Sequence, residues 1–193
     1  TPLEFEGAYD PHVWFDVELW IMAVEVVGNT LMKADKENKN NYQKRMKNYI
    51  SQLKALSTEI KTTIASIPAE KRYLITAHDA FNYYAQAYSI KVAGLQGIST
   101  ESKAGIKDIQ NIVKLIIKNS IPTIFVESSV SAKTIQAVQA SVKSKGRKVS
   151  IGEPLFSDAL GERGTLNGTY VGMMKHNLNA IYNGLIKGDI KNE

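Results

Sequence analysis

Tyr73-Leu74-Ile75-Thr76-Ala77-His78-Asp79-Ala80-Phe81-Asn82-Tyr83-Tyr84-Ala85-Gln86-Ala87-Tyr88-Ser89-Ile90-Lys91-Val92-Ala93 decides the fold. A β-rich run, Tyr73–Thr76, passes into a helical stretch near Ala80–Tyr88 and then into a second β-rich run, Ile90–Ala93. The same rhythm continues downstream. Ala104–Asn119 carries Ile106, Ile109, Val113 and Ile116 at helical spacing, and Thr123–Val126 reads as a strand. Ala132–Ser144 is a helix with Ile135, Val138 and Val142 in register, stopped by Gly146. Lys148–Ile151 is the last strand, and after a glycine-rich loop a helix runs from Tyr170 to Lys187, ahead of Gly188. Four strand–helix units in series predict an α/β fold with a parallel sheet and flanking helices.

Upstream, Tyr42–Ile67 contains no glycine or proline. Tyr42, Met46, Tyr49, Leu53, Leu56, Ile60, Ile64 and Ile67 trace one helical stripe. At 1.5 Å per residue this helix spans about 39 Å, long enough to connect two domains. Pro68 ends it. Further back, Asp35–Asn41 reads as a loop and Val13–Leu31 as one or two helices. Asp10-Pro11 marks a turn, with Pro11 suited to a helix start, after an extended lead-in.

The 193 residues are 44% hydrophobic and 22% charged, which excludes a disordered or collagen-like chain. Mean hydropathy is −0.21, and no apolar run approaches the ~20 residues of a membrane span. Thr1–Asp10 has neither the basic start nor the apolar core of a signal peptide. That leaves a cytosolic protein, or a leader outside this sequence. The net charge of +5 comes mostly from dispersed lysines. Arginine is confined to positions 45, 72, 147 and 163, with no basic cluster interleaved with aromatics, which argues against nucleic-acid binding. Cysteine is absent, excluding disulfides, zinc–thiolate sites, iron–sulfur clusters and thiol nucleophiles. No glycine cluster forms GxGxxG or a P-loop.

A transition-metal site here must therefore use histidine and carboxylate. The histidines are His12, His78 and His176. Ligands in an open α/β sheet gather at the carboxyl ends of strands. His78 follows the strand Tyr73–Thr76 by two residues, and Asp158 lies in the loop after the last strand, so both belong to one sheet edge. Asp79 can cap the next helix. His12, His78 and Asp158 converging would suit Zn²⁺, Mn²⁺ or Fe²⁺. The alternative is three separate structural roles: a helix-start residue, a helix N-terminal residue and a turn residue. Their long separation offers no local motif of the HExxH kind. Glu127, at a strand end, either hydrogen-bonds a ligating imidazole from behind or serves in capping or an interface. Of Tyr83, Tyr84 and Tyr88, two are expected to face the core.

Several words stand in one order: Asp10-Pro11-His12-Val13-Trp14-Phe15-Asp16, Thr76-Ala77-His78-Asp79-Ala80-Phe81, Gly94-Leu95-Gln96-Gly97-Ile98-Ser99-Thr100, Glu127-Ser128-Ser129, Leu155-Phe156-Ser157-Asp158-Ala159-Leu160-Gly161 and Gly168-Thr169-Tyr170-Val171-Gly172-Met173-Met174-Lys175-His176-Asn177. Together they resemble the TroA-like solute-binding proteins of zinc and manganese ABC importers, over about Asp10 to Lys187. The resemblance implies two α/β lobes joined by one rigid helix, with the metal between them. It implies metal ligands at His12, His78 and Asp158, and a structural role for His176. It implies residues 1–40 as the tail of an N-terminal lobe, 41–68 as the linking helix and 69–193 as the C-terminal α/β lobe. It also implies a further histidine ligand well before Asp-Pro-His, which this sequence starts too late to contain. Glu101 is expected to face a partner or the other lobe.

By this resemblance the protein is an extracytoplasmic, non-enzymatic receptor, periplasmic or lipid-anchored. It captures Zn²⁺ or Mn²⁺, with Fe²⁺ also compatible, and hands it to a membrane permease, touching the membrane only through a tether outside this chain. The same ligand set would also serve a two-histidine, one-carboxylate metalloenzyme, although no general base or oxyanion donor accompanies it.

Overall fold

The computed structural model describes residues 4–5, 8–98 and 104–187. The readings placed on Ser99, Thr100, Glu101 and Gly188 lie outside the described residues.

A short antiparallel pair, β1 (Glu4–Phe5) and β2 (Ala8–Tyr9), precedes a 3-10 turn over Val13–Phe15. One helix then follows, α1 (Val17–Ala34), capped by the Asp16 carboxylate, which accepts from the Glu18 N–H at 2.9 Å. The loop before the long helix is shorter than expected, because α2 runs from Lys39 to Ser66. Polar Lys39, Asn40 and Asn41 add its solvent-facing first turn. Its buried stripe is Leu53, Leu56, Ser57, Ile60 and Ile64, and Ile67 with extended backbone before Pro68 ends it.

Beyond Pro68 lie β3 (Tyr73–His78), α3 (Asn82–Tyr88), β4 (Lys91–Gln96), α4 (Ile106–Asn119), β5 (Thr123–Ile124), α5 (Lys133–Ser144), β6 (Ser150–Ile151) and α6 (Tyr170–Lys187). β3 pairs parallel with β4, and β5 parallel with β6. The Phe125 N–H donates to the Ile75 carbonyl at 2.9 Å, joining the pairs between β3 and β5. The α/β parallel architecture with flanking helices is thus present. β5 and β6 are shorter than their apolar runs suggest. Past Ile124 the chain continues by isolated bonding, Leu155 N–H to Val126 carbonyl and a parallel bridge between Glu127 and Leu155. α5 ends as expected, with Gly146 at φ +72° and its N–H on the Lys143 carbonyl.

β3 divides two cores by its two-residue alternation. Leu74 faces a cluster made with α1, α2, α3 and α6, including Phe15, Phe81, Ile60, Met174 and Ile181. Ile75 and Ala77 face the other, filled by Ile112, Val113 and Ile116 of α4 and Ile135, Val138 and Val142 of α5. His78 shares the parity of Leu74 and Thr76, so it belongs to the α1–α2 side of the strand, the side from which His12 arrives. All three tyrosines of α3 are buried, one more than expected, because α3 is covered by both α1's lead-in and α2.

Candidate metal centre

His12 sits at the start of the 3-10 turn, 3% exposed. Asp10 folds back over it. Asp10 Oδ1 accepts from the His12 N–H at 2.9 Å and lies 2.6 Å from His12 Nδ1, while Asp10 Oδ2 accepts from Asn82 Nδ2 at 3.1 Å. Burial alone would raise the Asp10 pKa. The bonds from His12 and Asn82 outweigh it and hold the carboxyl below its ordinary value. A carboxylate at Nδ1 keeps the proton there, so His12 presents a Nε2 lone pair.

His78 is fully buried. It is the last residue of β3 rather than two residues beyond the strand, because pairing with β4 continues to Gln96. Glu127, 4% exposed, meets it with both oxygens: Oε1 accepts from the His78 N–H at 2.9 Å, and Oε2 lies 2.7 Å from Nδ1. Of the two roles open to Glu127, the structure gives it the place behind the imidazole. Burial pulls the His78 pKa down. The Glu127 contact and the negative charges of Glu127, Asp158 and Asp79 overcome that and raise it. His78 Nε2 is buried without a hydrogen-bond partner among the described residues, and Nδ1 and Glu127 Oε2, 2.7 Å apart, meet as an ion-pair contact outside hydrogen-bond geometry. Asp79 does not cap α3. Its carboxylate accepts from the Gly94 N–H at 2.9 Å, and Phe81 occupies the cap position without a side-chain bond.

The rings of His12 and His78 are 5.4 Å apart, inclined at 67°. Three residues beyond each stands a buried phenylalanine. Phe15 and Phe81 stack at 4.3 Å, fastening the two segments together. Such a pair contributes about 1 kcal/mol beyond its burial. Asp158 approaches from the loop after β6, its side chain 33% exposed, with Oδ1 3.3 Å from His12 Nε2 and Oδ2 3.4 Å from His78 Nε2. One ligand atom from each of the three lies within 4.8 Å of the others. Two donors each about 2.1 Å from a tetrahedral ion stand about 3.4 Å apart. The spacing therefore suits a small divalent cation seated between them. Two imidazoles, one carboxylate oxygen between them and two buried carboxylates behind them form an electronegative socket for such an ion.

Asp10 and Asn82 were not singled out by sequence reasoning. The signal for Asp10 was local, since an aspartate two residues before a histidine can turn back on its backbone N–H. His176 is placed as a structural residue, with Nε2 2.9 Å from the Pro154 carbonyl and its ring edge-on to Phe156 at 4.9 Å.

Residues 3–184 match the family described as ZnuA, the periplasmic zinc-uptake complex component A, and the chain belongs to that family. Within it, the chain is 47% identical over 173 residues to the manganese-binding lipoprotein MntA of Bacillus subtilis (strain 168), covering 90% of this chain and 56% of that protein. It is 34% identical over 182 residues to the metal ABC transporter substrate-binding lipoprotein SsaB of Streptococcus sanguinis, covering 94% of this chain and 57% of that one. The solved structure of the periplasmic zinc-binding protein TroA from Treponema pallidum superposes with a TM-score of 0.92 at 43% identity, covering 96% of this chain and 67% of that one. The chain spans a little over half the length of the curated relatives it matches.

Proposed function

We propose that this chain is the metal-capturing part of an extracytoplasmic solute-binding protein that delivers Zn²⁺ or Mn²⁺ to the permease of an ABC importer. The observation that carries the reading is the meeting of His12, His78 and Asp158, each imidazole backed at Nδ1 by its own buried carboxylate and turned toward the same point. The names of MntA, TroA and SsaB support the cargo and the transport setting. In this reading residues 1–40 belong to the tail of an N-terminal lobe, 41–68 form the linking helix and 69–193 the C-terminal lobe. The three donors leave room for a fourth. The resemblance places it on a histidine ahead of His12, and residues 1–11 contain none.

Equilibrium dialysis with metal analysis tests the reading. The expected result is one equivalent of Zn²⁺ or Mn²⁺ per chain, lost in His12→Ala and His78→Ala, with no turnover of ester, peptide or oxygenation substrates. Binding that survives both substitutions overturns it.

A further inference from the structure

The two histidines of the centre each rest on a buried carboxylate, whereas Asp158 stands on an exposed loop and is placed through its neighbours. Asn177, fully buried on α6, grips the Phe156 backbone from both sides, accepting from its N–H at 2.9 Å and donating to its carbonyl at 2.8 Å. Ser129 Oγ meets Ser157 Oγ at 2.7 Å and donates to Asp158 Oδ2 at 3.3 Å. Trp14 also reaches the loop, from a segment distant in sequence. Its indole Nε1 donates to the Ser157 carbonyl at 3.1 Å, across 143 residues of sequence. The same ring stands edge-on to His12 at 5.2 Å. The Trp14 carbonyl in turn accepts from Tyr170 Oη at 2.7 Å. Trp14 therefore touches one proposed ligand directly and the peptide next to another.

We propose that Trp14 is a positioning residue that couples the His12 segment to the Asp158 loop through its indole N–H, fixing how far the Asp158 carboxylate reaches toward the two imidazoles. The proposal rests on reading the site as a metal centre. The ring packing on His12 and the N–H bond to Ser157 are separable. Replacing the N–H while keeping the bicyclic shape leaves His12 packed but frees the Asp158 loop. The loss then falls on the carboxylate ligand alone.

The test uses the 193-residue chain with Co²⁺ as a spectroscopic probe. Position 14 carries either phenylalanine (Trp14→Phe) or β-(3-benzothienyl)alanine, which keeps the indole shape without its N–H. Both are combined with Asp158→Asn. Expected is a fall of about tenfold in Co²⁺ affinity for either replacement, the size typical of losing a group that orients a ligand. A change in the cobalt visible bands and faster amide exchange over residues 156–161 of the metal-free chain should accompany it. In the Asp158→Asn background the replacement should cost nothing further, since the two act through one carboxylate. Unchanged affinity and bands in the benzothienyl chain, or losses that simply add to those of Asp158→Asn, overturn the proposal. If the unaltered chain and Asp158→Asn bind Co²⁺ equally, the metal-centre reading itself is overturned, and the proposal with it. Loss of binding in Asp158→Asn with none at position 14 overturns the Trp14 proposal alone.

Discussion

Asp10 and Glu127 do the same thing to two histidines from unrelated parts of the chain. Each holds an imidazole Nδ1 at 2.6–2.7 Å and each also accepts that histidine's own backbone N–H. The double contact holds each ring with Nε2 turned toward the other imidazole and Asp158. Replacing Glu127 by glutamine keeps the size but removes the charge and lets the amide present either end. Glu127→Gln should weaken Zn²⁺ binding by about tenfold, and Asp10→Asn similarly, read by competition with a chromophoric chelator. The raised pKa of His78 sets the direction of the pH response. A proton on either imidazole must leave before metal enters, so affinity should fall as pH falls through the raised His78 value, and level off above it. The metal-free chain should show the opposite linkage. Stabilisation from protonated His78 beside Glu127 is complete below the unfolded value of about 6.5 and is lost as pH rises through the folded one. Chelator competition and denaturant melts at successive pH values from 5 to 8 read the two trends separately.

At the scale of elements, β3 and β4 place His78, and Gly94 sets how closely they do so. A Cβ at Gly94 would stand 2.6 Å from the Asp79 nitrogen and 2.6 Å from the His78 carbonyl carbon, both backbone atoms with little freedom to yield. Its N–H also anchors Asp79. Gly94→Ala should cost about 1–3 kcal/mol in urea unfolding, the usual range for overpacking. It should weaken metal binding as well, by pushing the end of β3. Ala substituted at exposed Gly146, where nothing lies within 4 Å but φ is +72°, should lower stability without touching metal affinity. This level of the structure was also the most legible in the sequence. The stripe from Leu53 to Ile64 and the period in α5 follow from spacing alone, since one buried face fixes them; in α4 the buried face is Ile112, Val113 and Ile116, and Ile106, expected on that face, is 78% exposed at the first turn of the helix. Helix starts were not legible where cap residues are absent or taken up elsewhere. Asp79 has the chemistry of a cap yet spends its carboxylate on Gly94, a partner brought near only by strand pairing. The meeting of His12 with His78 was legible only through the ordered family words. Spacing cannot carry it, because it depends on the Phe15–Phe81 stack, a contact over 66 residues of chain.

For the molecule as a whole, the site ties together three distant segments: the 3-10 turn ahead of α1, the end of β3 and the loop before α6. α2 lies beneath them as an unbroken helix of 28 residues, about 42 Å, its buried stripe packed against α1, α3 and α6. Bending that helix would open packed contacts along its length. Asp158 already stands 3.3–3.4 Å from both imidazole nitrogens, near the spacing a bound ion demands. Metal entry therefore needs only local adjustment, and the radius of gyration of the chain from X-ray scattering should be the same with and without Zn²⁺; a compaction of several ångströms would contradict this. The gain should appear as stability instead. An unfolded chain scatters His12, His78 and Asp158 across 146 residues and cannot chelate with them, so an ion held by all three would bind the native state selectively. At a free metal concentration a hundredfold above Kd, that linkage contributes about 2.7 kcal/mol. For a chain of this size it corresponds to a rise in Tm of about 5–10 °C. Scanning calorimetry with and without Zn²⁺ measures it. The rise should vanish in His78→Ala, whose Nε2 is gone, and persist in His176→Ala, whose ring meets the Pro154 carbonyl and Phe156. A rise that survives in His78→Ala would place the stabilising ion elsewhere on the molecule.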